Sequence, residues 1–194
     1  MIFNVNWMKI KFLKAFKGDS ILLSFIDSEN IERNILIDGG TGSTYFENKS
    51  RKKGELYTII ELIKSENKRI DLLVLTHIDD DHIGGILRWI AKDQDAFKLI
   101  DKVWFNSGKS IAEYLESLVN EELELTLDIF KDTLTSIKQA KTFEDYLIEN
   151  NIWDRKIILK GLDCEKNGLK IQILSPTVKK LEKLLNEFRK PKHN

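Results

Sequence analysis

The sequence predicts a mixed α/β (α+β) domain, and three observations carry that prediction. Short apolar runs, β-branched in part, alternate with tight polar turns over the first 40 residues, as paired strands do. From residue 55 onward apolar residues recur at the helical period, first as Leu56, Ile59, Ile60 and Ile63. Between two helical stretches stands DLLVLT at 71–76, apolar enough for a strand covered on both faces.

The elements follow in order. Ile10, Phe12 and Ala15 open a first strand, closed by the turn Lys17-Gly18-Asp19. Residues 20–26 (SILLSFI) form a second strand, and Asp27-Ser28-Glu29-Asn30 turns the chain back. Residues 34–38 (NILID) form a third, stopped by Gly39-Gly40, so the opening is an antiparallel meander. Residues 41–53 are polar and read as a long loop rimming a site. A helix is expected over 55–66, the strand 71–76 after it, then a polar loop and a helix over 86–92. Residues 101–106 (DKVWFN) make another strand, ending in Asn-Ser-Gly. Residues 110–150 read as mostly helical, with stripes at Ile111, Tyr114, Leu115 and Leu118 and at Phe143, Tyr146 and Leu147. Strands follow over 156–160 and 169–174, and Leu181, Leu184, Leu185 and Phe188 mark a last amphipathic helix. One domain is expected over 1–188, with a polar tail at 189–194 and Met8 as an alternative start.

Composition excludes several classes. At 42% hydrophobic and 32% charged residues, 194 residues can bury one core rather than remain disordered. Lys+Arg and Asp+Glu are both 31, which argues against a polybasic membrane binder or a nucleic-acid coat protein. A single cysteine, Cys164, excludes a disulfide framework and suits a reducing, cytoplasmic setting. No apolar run approaches the roughly 18 residues that span a bilayer, so no membrane contact is expected.

The chemistry concentrates in Thr76-His77-Ile78-Asp79-Asp80-Asp81-His82-Ile83-Gly84-Gly85. Imidazole and carboxylate groups suit Zn²⁺, Mn²⁺ or Fe²⁺, and the end of a buried strand holds such groups rigidly. A solvated acidic turn has a similar composition. Two facts argue against that reading: every histidine except His193 lies in this segment, and a glycine pair follows it directly. His77, Asp79, Asp81 and His82 are the candidate ligands, with Thr76, Asp80, Gly84, Gly85, Asp38 and Asn106 beside them. Tyr45 and Phe46 ahead of the basic run 49–53 are a weaker nucleic-acid signal.

THIDDDHIGG resembles the signature of the metallo-β-lactamase superfamily, T-H-x-H-x-D-H-x-G-G, with Asp79 in place of the second histidine. That variant is similar to the branch around the competence protein ComEC. KGDSILLSF, NILIDGG and GLKIQILSP resemble the flanking strands of that branch, so the resemblance covers about residues 8–188. It implies an αββα sandwich and two divalent ions, zinc first and manganese or iron next. His77 and Asp79 would hold one ion, and Asp81 and His82 the other. Asp81 would also orient the water that attacks. Asp38 would support the ligands from behind.

The family pattern also needs a later His, a bridging Asp and a last His. After His82 this sequence has only His193. The expectation is therefore an incomplete or truncated sandwich whose open sheet is covered by a second copy or a companion polypeptide. The resemblance implies a phosphodiesterase or nuclease-like hydrolase, with a nucleic acid or nucleotide as substrate. The alternatives are hydrolysis of a carbonyl substrate (lactone, thioester or β-lactam) and a catalytically incomplete module that needs a partner.

Overall fold

The computed structural model describes residues 7–118, 135–166 and 168–189. A five-stranded sheet forms its centre, in the order β1 (Met8–Phe12), β2 (Ile21–Ile26), β3 (Glu32–Ile37), β6 (Leu72–Val74) and β7 (Val103–Trp104). The first two pairings are antiparallel and the last two parallel. The parallel pairings need crossovers, supplied by α1 (Gly42–Tyr45), α2 (Glu55–Ser65) and α3 (Asp80–Lys92). The expected meander is present.

Register sorts the side chains by face. Leu22, Leu36, Leu73 and Val103 lie opposite one another across the strands, and all four are buried beneath the helices. Ile59, Ile60 and Ile63 of α2, Ile83, Ile86 and Trp89 of α3, and Phe143 and Leu147 of α5 (Thr135–Glu149) complete that core. The other face carries the row Ile21, Ile37, Val74 and Trp104, and beside it Ile10, Leu23, Ile35 and Leu72. The hairpin β8 (Asp163–Lys166) and β9 (Leu169–Gln172) lies over part of this face, touching it through Leu169 and Ile171. A cavity of about 840 Å³ remains over this face, lined also by Ile158, Pro176, Leu181 and Leu184. Towards β1 the row ends in water, with Ile10 at 52% and Phe12 at 72% exposure. A separate small cluster joins Ile111 of α4 (Gly108–Leu118) to Leu181 and Leu185 of α6 (Val178–Arg189).

Three expectations are corrected. Residues 41–53 are not a plain loop: α1 and the two-residue ladder β4 (Phe46–Glu47) with β5 (Lys52–Lys53) occupy them, and Tyr45 is buried. The helix expected over 86–92 begins six residues earlier, at Asp80. Residues 156–160 form no strand. Their backbone meets a side chain instead, Ile158 N donating to Asn106 Oδ1 (2.9 Å) while Asn106 Nδ2 donates to the Ile158 carbonyl (2.8 Å). The hairpin strand therefore lies at Asp163–Lys166. Of the helix expected over 110–150, residues 119–134 lie outside the described ones.

Candidate metal centre

Three parallel strands end at one edge of the sheet, and their last turns deliver Asp38, Thr76 and Asn106. Ligand crevices of α/β sheets lie at this edge. Asp38 is 1% exposed and takes a left-handed backbone, φ +55°. Its carboxylate is fully engaged. Oδ1 accepts from Thr76 N at 2.8 Å, and Oδ2 accepts from Thr76 Oγ1 and lies 2.9 Å from His82 Nδ1. A histidine held through Nδ1 presents Nε2 outward, the arrangement common behind metal-binding imidazoles.

His82 Nε2 lies 3.9 Å from Asp81 Oδ1, and the rings of His77 and His82 meet edge to face at 5.2 Å. Asp79 stands at the N-cap of α3, where an aspartate usually caps the helix. Its carboxylate does not cap; it lies 3.4 Å from His77 Nδ1, and both side chains are about half exposed. Two imidazoles and two carboxylates thus gather at the start of one helix. Burial opposes charging of His82, but the Asp38 hydrogen bond and charge outweigh it, helped by Asp81 and Asp19. Its pKa is raised above the ordinary value.

This donor set suits a divalent ion in chemical type. It is an open half-shell: among the described residues no group of three or more His, Cys, Asp or Glu side chains encloses a common point. Asp80 points elsewhere, accepting from Gln139 Nε2 at 2.7 Å and lining a separate small pocket with Gly84 and Arg88. Gly84 and Gly85 are buried inside α3, where Gly85 N donates to the Gly40 carbonyl at 2.8 Å. Asn106 lines the large cavity together with Thr76 and His77. Ser107, beside it, is buried and donates to Glu144 instead (2.9 Å).

Gly18 and Asp19, expected as a turn and as part of the KGDSILLSF resemblance, were not among the expected site residues. A Cβ on Gly18 would lie 1.8 Å from the Asp81 carbonyl oxygen, so the β1–β2 turn rests directly on the centre. The Asp19 carbonyl accepts from Gly40 N at 2.8 Å and ties that turn to the end of β3. The only local signal was a Gly-Asp pair ahead of an apolar strand.

The model of the metallo-beta-lactamase superfamily matches residues 18–154, more than half of the chain. The chain belongs to that superfamily. The match begins at the Gly18 turn and spans the whole cluster from Asp38 to His82. The superfamily typically binds divalent metals, usually zinc, and its chemistry in general is metal-dependent hydrolysis. No curated protein matches the chain. No helix among the described residues is long and apolar enough to cross a membrane.

Proposed function

We propose that this superfamily member is a metal-dependent phosphodiesterase whose ions, zinc before manganese or iron, are held by His77, Asp79, Asp81 and His82. One observation carries the reading: buried Asp38 fixes His82 through Nδ1 and turns Nε2 towards Asp81. A bound divalent ion would supply a water acidified towards neutrality and would neutralise charge developing on the substrate. The chain's own part is positional. Asp38 and Thr76 lock the imidazole, α3 fixes Asp81 one residue before it, and Asp81 accepts the hydrogen bond that orients the attacking water. The choice of a phosphodiester over a carbonyl substrate rests on Asp79 and its resemblance to the ComEC-like branch.

The test is zinc and manganese titration by calorimetry, with cleavage of a phosphodiester panel and a lactone, thioester and β-lactam panel in parallel. Metal-dependent diester cleavage that falls at least 100-fold in Asp81→Asn is expected. Failure to bind any divalent metal removes the enzyme reading, and cleavage confined to the carbonyl panel removes the phosphodiester.

The open half-shell and the partly covered sheet face favour a second reading, in which groups beyond those described, or a second copy or companion chain, complete the centre. Light scattering on the metal-loaded sample decides it. An active, metal-loaded monomer excludes completion by another chain.

A further inference from the structure

Phe16 combines two features that folding alone does not favour. Its backbone is left-handed, φ +65°, a conformation that strains a bulky side chain. Its side chain is 62% exposed, so burial does not offset the strain. The surrounding turn imposes this geometry. Lys17 N donates to the Ala15 carbonyl at 2.8 Å, and that carbonyl accepts from Thr44 Oγ1 at 3.1 Å. Two residues on, Gly18 rests on the Asp81 backbone, so Phe16 stands within about 7 Å of that contact along the chain.

Cations gather at the same turn. Lys14 Nζ lies 5.3 Å from the Phe16 ring centroid, and Lys17 is exposed beside it. Lys14 N donates to Glu55 Oε2 at 3.0 Å, which places the turn against the start of α2. Aromatic faces among lysines grip single strands, because every base has a face to stack and every link a phosphate.

We infer that Phe16 is a stacking platform for a base of single-stranded nucleic acid, with Lys14 and Lys17 meeting its phosphates. This names the substrate class of the adjacent centre and rests on the phosphodiester reading.

The test is fluorescence anisotropy of a labelled single-stranded oligothymidylate in a chelating buffer, so that no metal-dependent cleavage intervenes. Phe16→Ala is expected to weaken binding about tenfold, and Phe16→Trp to retain it. Phe16→Gly removes the ring and relieves the backbone, so it should lose affinity to the same extent while unfolding at a higher temperature. A purely structural Phe16 would not give that opposition. Unchanged affinity in the Ala and Gly variants overturns the inference, as does equal affinity for a duplex or equal displacement by thymidine monophosphate. Metal-dependent cleavage of dimethyl phosphate, which has no base to stack, is followed separately. Its absence with Phe16-dependent binding intact counts against the hydrolase and not the platform; its presence without oligonucleotide binding does the reverse.

Discussion

Asp38 and His77 differ in what surrounds them, and that difference sets what each substitution costs. Asp38 is buried and accepts from both polar groups of Thr76 as well as meeting His82. Asp38→Ala leaves Thr76 N without its partner, a loss of about 1–3 kcal/mol, readable in urea denaturation. Asp38→Asn tolerates the left-handed backbone and keeps one acceptor, so the fold should survive while zinc affinity falls about 10–100-fold. His77 is about half exposed and no strong contact holds it. His77→Ala should therefore change stability by less than about 0.5 kcal/mol and still weaken zinc binding in calorimetry. A His77 variant with full metal affinity would remove this residue from the centre.

Helix α3 and the strand ends reach their positions through close backbone approach. A Cβ on Gly85 would sit 1.9 Å from the Gly39 carbonyl oxygen, with no flexible side chain to yield. Gly85→Ala must push α3 off the sheet edge, at a cost of about 3 kcal/mol, and should lower the thermal midpoint and metal affinity together. The far side of the same edge is held by Glu144 of α5, which accepts from Ser107 at 2.9 Å. Burial raises the Glu144 pKa; the Ser107 hydrogen bond, Lys109 and Arg155 pull it back in part, and Asp145 adds to the rise. The folded state therefore holds this proton more tightly than the unfolded chain. Its contribution is fully present below the unfolded pKa and is lost as pH rises through the folded one. Glu144→Gln keeps an acceptor for Ser107 and removes the cost of ionisation. It should be more stable than the parent at pH 7, with the difference vanishing in denaturation curves taken near pH 4. A pH-independent difference would refute this account.

The whole molecule is asymmetric about its sheet. One face is sealed by α2, α3 and α5 with the row Leu22, Leu36, Leu73 and Val103 beneath them. The other is apolar and covered in part by the hairpin and by residues such as Pro176 and Leu184, leaving a cavity of about 840 Å³ and an exposed edge at Ile10 and Phe12. Contiguous apolar surface of this kind binds hydrophobic dyes and promotes association. The double variant Ile10→Thr, Phe12→Thr should bind less anilinonaphthalene sulfonate and associate less in light scattering. Both side chains are already in water, so its unfolding midpoint should barely move. Unaltered dye binding would place the accessible apolar surface elsewhere.

Local periodicity determined the meander, α2, the buried strand and the last helix, because strand and helix patterns repeat within a few residues. The contiguous run from Thr76 to Gly85 also put its donors in view, since chemistry of that density needs no folding to be noticed. Pairs distant in the chain were decided by tertiary structure alone. Asp38 meets His82 across 44 residues because β3 and β6 lie parallel and end together. Gly18 meets Asp81 because the meander folds its first turn onto the sheet edge. The start of α3 was misplaced because acidic residues read as a turn until the helix is seen to use them in its first turn, where its dipole favours negative charge. The strand expected over 156–160 was misplaced because an apolar run specifies only that it will be covered. Asn106, far away in sequence, supplies the hydrogen bonds that would otherwise have come from a neighbouring strand.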